Sequence, residues 1–93
     1  MTDWPFEDAP NTAVITTGGI VAGADPILRV THDADDGSWQ FLPGTNVSSA
    51  DARVVALSRI CRLDPGVYEL ADLAEGWVAS RPRAGAPWSR RPI

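Results

Sequence analysis

The dipeptide Asp36-Gly37 separates two segments, PILRVTHD and SWQFLPG, in which apolar and polar residues alternate. Alternation with period two is the signature of half-buried strands, and Asp-Gly supplies the positive φ that a two-residue hairpin turn requires at both central positions. A β-hairpin over residues 27–42 is therefore the tightest constraint that this chain places on its own fold. With Asp36 and Gly37 as the turn, Asp35 faces Ser38, Asp33 faces Gln40 and His32 faces Phe41. One face then collects Leu28, Val30, His32, Ala34, Trp39 and Phe41, and the other collects Arg29, Thr31, Asp33, Asp35, Ser38 and Gln40. A slip of one residue would mix the two sets, so the pattern argues for this pairing.

The rest of the chain is read around the hairpin. Residues 1–11 contain Pro5, Pro10 and Asn11 as well as Trp4 and Phe6, which predicts a non-regular arm pinned by its aromatics. TAVITT at 12–17 is β-branched and ends at Gly18-Gly19, as a short strand does. GIVAGADP at 19–26 reads as one helical turn stopped at Gly23, or as a loop. ARVVALSRICRL is open between one helix over 53–63 and a strand followed by a helix: Val54 and Val55 favour a short strand at 53–56, and Leu57, Ile60, Cys61 and Leu63 have helical spacing after it. Asp64-Pro65 is an N-cap followed by Pro at the first helical position, predicting a second helix to about Leu73. Trp77 to Ser80 returns as a strand, and residues 82–93 hold too many Pro and Gly for regular structure. The expected architecture is one α+β domain at 12–81, with a Pro/Arg-rich tail at 82–93 packed on it. Its antiparallel sheet has three to five strands built on the central hairpin, and two short helices cover one face.

With 93 residues the chain has room for one core, and 44% hydrophobic residues with four Trp are enough to build it. Its one cysteine, Cys61, has no intrachain partner, which points to a reducing compartment. The acidic N-terminus lacks the character of a signal peptide, and no apolar run reaches the roughly 20 residues of a membrane span. A cytoplasmic protein with no membrane partner is expected. All eight basic residues are Arg, which suggests a GC-rich, bacterial coding sequence. Residues 1–80 hold all 12 acids against four Arg, whereas residues 81–93 hold four Arg and no acid. An acidic body and a basic tail follow.

The acids of THDADDGSWQF invite a calcium-loop reading, which fails on spacing. Counted from Asp33, Gly37 falls at position 5 and Gly44 at position 12, where an EF-hand needs an acid and a Glu. Neither a metal site nor a catalytic residue is assigned. His32, the only histidine, points to the Trp39 and Phe41 face and reads as a buried structural residue. A His32–Cys61 pair has no support from spacing, because Cys61 sits at an apolar helical position. GGIVAG lacks the ending of a phosphate loop and the spacing of a dinucleotide site, so no cofactor is expected. The tail, with Arg81, Arg83, Arg90, Arg91 and Trp88, has residues that stack on single strands, but the acidic body repels phosphate. Trp88 is expected to anchor the tail instead, and no nucleic acid is expected.

The stretches HDADDGSWQFL, DARVVAL, LDPGVYELADL, GWVASR and GAPW together resemble a family of small bacterial proteins of unknown function with distant similarity to immunity-protein domains of toxin systems. The resemblance spans about Val14 to Trp88, implies an α+β domain and carries no catalytic residue over. The functional expectation is a non-enzymatic, protein-binding immunity or regulatory domain. Asp33, Asp35 and Asp36 would offer an acidic surface to a partner with a basic one. The alternative is a small-ligand binder or enzyme that uses His32 and a nearby Asp in a pocket walled by Trp39 or Trp77.

Overall fold

The β-branched run after Thr12 forms β1 (Ala13–Thr17), and the Thr17 hydroxyl accepts the Ile20 N–H at 3.3 Å to start the single-turn helix α1 (Gly18–Val21). Gly23 follows in the left-handed region at φ 78°, a conformation in which a Cβ is strained. The hairpin strands are β2 (Arg29–His32) and β3 (Trp39–Leu42). A 3-10 turn, Ser49–Asp51, leads into β4 (Ala52–Ala56) and the helix α2 (Leu57–Leu63). After a second 3-10 turn, Pro65–Leu70, the chain closes with β5 (Trp77–Ser80) and β6 (Ser89–Pro92). This computed structural model describes residues 4–93, so the first three residues of the expected arm lie outside the described residues.

Among the described residues the sheet has six strands in the order β4-β1-β3-β2-β5-β6, and it is mixed, since β1 runs parallel to β3 at Ile15 and Gln40. The expected antiparallel sheet of three to five strands is corrected on both counts. β1 bypasses β2, its neighbour in sequence, and pairs with the far arm of the hairpin, where the buried Thr16 hydroxyl donates to the Phe41 carbonyl at 2.8 Å. Alternation tells which face a residue takes and nothing about which strand lies beside it or in which direction.

The hairpin register also differs from expectation. The observed pairs are Val30 with Phe41, Thr31 with Gln40 and His32 with Trp39, two residues from the expected pairing. The loop is Ala34–Gly37, closed by Asp33 N–H to Ser38 O at 2.8 Å and Gly37 N–H to Asp33 O at 2.9 Å. Only Gly37 takes a positive φ, 72°, so a type I′ turn, which needs two such residues, does not form. The carboxylates of Asp33 and Asp36 accept the N–H groups of Asp35 and Ser38, favouring the wider loop.

Asp64 caps as expected, its Oδ1 accepting the Gly66 N–H at 2.9 Å, but the element it starts is a 3-10 turn that stops at Leu70. Val67, Leu70 and Leu73 are all buried, and their spacing of three matches three residues per turn better than 3.6. These residues, with Ile20, Leu57, Ile60 and Cys61, cover one face of the sheet, where Val14, Val30, Trp39, Phe41 and Ala79 meet them. Phe6 joins this core edge-to-face with Trp39 at 5.6 Å, pinning the arm.

The tail is not irregular throughout, because β6 pairs with β5. Ile93 N–H donates to Gly76 O, and the alternation of an antiparallel ladder then turns the Pro92 nitrogen away from β5, where the missing N–H costs nothing. Trp88 Nε1–H donates to Gly66 O at 3.1 Å, and the Arg81 guanidinium lies 4.1 Å from the Trp88 ring centroid. Arg81 is itself 6% exposed, donating Nε–H to Ile27 O and pairing with Asp64.

Candidate functional site

At the end of the sheet that carries the hairpin loop lies a cleft of about 390 Å³, lined by Glu7, Asp8, His32, Asp36, Gly37, Trp39, Ala71, Asp72, Leu73, Ala74 and Glu75. Three stretches of chain build it: the N-terminal arm, the hairpin, and the segment between the second 3-10 turn and β5. Each is held by a contact that fixes a cleft residue. Trp39 Nε1–H donates to Asp8 Oδ2 at 2.7 Å, and Trp4 Nε1–H donates to the Asp8 carbonyl at 2.7 Å, so two indoles hold one acid at the rim. The His32 ring stacks on Trp39 with centroids 3.9 Å apart and planes 15° from parallel. Its Nδ1 lies 2.8 Å from the Leu73 carbonyl. A carbonyl has no proton to give, so Nδ1 carries the hydrogen, and in the neutral ring Nε2 is left as an acceptor.

Among the described residues, five carboxylates line this cleft, and no Arg or Lys does. Asp36 is held below the usual carboxylate range by the backbone and side-chain hydrogen bonds of Ser38. Asp72 is held low by the Arg90 guanidinium, which bonds to it from outside the lining at 2.8 Å. Glu75 reaches across to the hairpin, where its Oε2 lies 2.9 Å from where a Cβ on Gly37 would stand, and the positive φ of Gly37 is what favours glycine at that position. The lining therefore concentrates negative charge and acceptor atoms.

The sign of that lining attracts cations and repels anions. Among the described residues, no Ser, Thr, Cys or Lys side chain lines the cleft to serve as an activated nucleophile. Cys61 is buried in the core, its thiol pushed up to about 11 by desolvation against a hydrogen bond from Tyr68, and it is inert at neutral pH. Among the described residues no group of three or more His, Cys, Asp or Glu is arranged to hold a metal ion. No helix of the described residues is long and apolar enough to cross a membrane.

The residues singled out in the sequence are distributed as follows. Asp36 lines the cleft, whereas Asp33 and Asp35 do not, the Asp33 carboxylate accepting the Asp35 N–H instead. His32 is half-buried at the cleft rather than enclosed in the core. Trp39 forms part of the wall; Trp77 pairs with His32 across β2 and β5 but lies outside the lining, 37% exposed. Glu7, Asp8, Asp72 and Glu75 escaped sequence reasoning, since they come from distant stretches and share no spacing. The one signal available was the excess of acids in the first 80 residues, which gives a sign and no location. Comparison of the chain with protein-family models, curated proteins and solved structures returns no match.

Proposed function

We propose that this chain is a non-enzymatic protein-binding domain, an immunity or regulatory partner in a bacterial cytoplasm, whose acidic cleft receives a cationic segment of another protein. The observation that carries this reading is the convergence, among the described residues, of five carboxylates on one concavity without a basic residue in its lining. Fields of one sign add in a cleft, attract the opposite charge and suppress the wrong partner. Nucleic acid is disfavoured for the same reason. The single Cys and the exclusive use of Arg support the cellular setting. The acid at the hairpin that matters is Asp36, with Asp33 and Asp35 adding charge nearby.

The test uses a defined probe, hexa-arginine peptide, followed by calorimetry at low and high salt. Binding is expected to weaken as salt rises. Replacing Asp36 and Glu75 together by Asn and Gln is expected to weaken it about ten-fold, each lost exposed charge pair contributing roughly half of that factor on a logarithmic scale. A control with the same loss of charge, Asp25→Asn with Asp51→Asn, acts outside the cleft. Equal weakening in both double variants, or no binding at low salt, overturns the proposal.

A second reading, a small-ligand binder using His32 and a nearby Asp, is favoured by the position of His32 in the cleft with Nε2 free to accept. It predicts that free arginine amide binds as well as the peptide does, residue for residue, and that His32→Phe abolishes that binding.

A further inference from the structure

Arg90 stands on β6 opposite Ala79, on the side of the sheet that carries the core and the 3-10 turns. Its guanidinium spans two acceptors: Nη1 donates to Asp72 Oδ1 at 2.8 Å and Nη2 to the Glu69 carbonyl at 2.7 Å, near the end of the second 3-10 turn. Asp72 is one of the five cleft carboxylates, and Arg90 is not among the residues that line the cleft. The chain thus already places a guanidinium of its own beside the concavity, its two Nη groups divided between a cleft carboxylate and a backbone carbonyl. With Asp72 80% exposed, an incoming cation can reach the same carboxylate.

Resting on the proposed role of the cleft, we infer that Arg90 is an internal competitor of the partner: it holds Asp72 until a cationic segment takes its place, so the C-terminal strand tunes the affinity of the cleft. The contact that is broken is an exposed one, weak enough to yield to a second guanidinium. Because β6 carries Arg90, occupation of the cleft also frees the outer edge strand of one of its side-chain anchors.

A double-mutant cycle on Arg90 and Asp72 tests this with the same hexa-arginine peptide. Arg90→Gln is expected to bind about three-fold tighter than the unaltered chain, the scale of one exposed ion pair. In an Asp72→Asn background the same Arg90→Gln change is expected to leave affinity unaltered, since the carboxylate it would release is gone. Melting curves of all four chains confirm that each is folded. Binding by the unaltered chain with no tightening in Arg90→Gln overturns the inference and leaves the cleft reading standing. Equal tightening in both backgrounds overturns it as well, because the effect is then one of net charge. Absence of binding in all four chains overturns both.

Discussion

Arg81 has 6% of its surface exposed, yet its guanidinium charge is matched by Asp64, shared with the Ile27 carbonyl through Nε and covered by the Trp88 ring. Removing one member of a buried ion pair strands the other in a medium that solvates it poorly. Asp64→Ala is therefore expected to lower the unfolding free energy by about 3 kcal/mol in denaturant titrations, the N-cap being lost as well. Asp72→Ala, at an exposed pair, leaves stability nearly unchanged. Asp72 differs instead in its titration. Arg90 lowers its carboxyl in the folded chain, so the pair adds stability above the ordinary carboxylate range, near pH 4, and that contribution is lost as pH falls through the lowered value. Carbon-detected NMR titration should show Asp72 protonating at lower pH in the unaltered chain than in Arg90→Gln. Asp36, whose shift comes from Ser38, should titrate alike in both. A common midpoint for Asp72 in the two chains would contradict the ion pair.

At the scale of elements, the hairpin shows what a period of two can and cannot specify. A slip of one residue would have put Trp39 on the solvent face, and the chain avoids it; a slip of two leaves every residue on its face and is invisible to the pattern. Loop chemistry chose between the allowed registers, through the Asp33 and Asp36 carboxylates and a single positive φ at Gly37. The segment after Asp64 was legible in its start and not in its type. The buried spacing 67, 70, 73 was present in the sequence, although short apolar repeats of three and of three-to-four are hard to separate without knowing which residues are buried. β6 was hidden by its prolines, since an edge strand tolerates a proline whose nitrogen faces outward. Removing residues 82–93 deletes β6 and Trp88, and the melting temperature should fall by about 10 °C, at several degrees per kcal/mol for a domain of this size. An unchanged melting curve would mean that the tail is not part of the fold.

At the scale of the whole molecule, net charge and site part company. The chain carries a formal charge of −4, and the four Arg after residue 80 are not a separate basic arm: Arg81 is buried against Asp64 and Arg90 is bonded to Asp72. Sequence by itself determined the hairpin, the faces of its strands, the capped start at Asp64, the arm and tail anchored by Trp4, Phe6 and Trp88, and the sign of the surface. All of these rest on interactions within a few residues or on the burial of apolar groups, which a local pattern records. Only the tertiary structure decided that β1 lies parallel to β3, that six strands share one sheet, and that Glu7, Asp8, Asp36, Asp72 and Glu75 meet around His32. Solvated carboxylates carry no period and bury no surface, so nothing in their order announces the cleft; the packing of arm, hairpin and 3-10 turn on a common core brings them together.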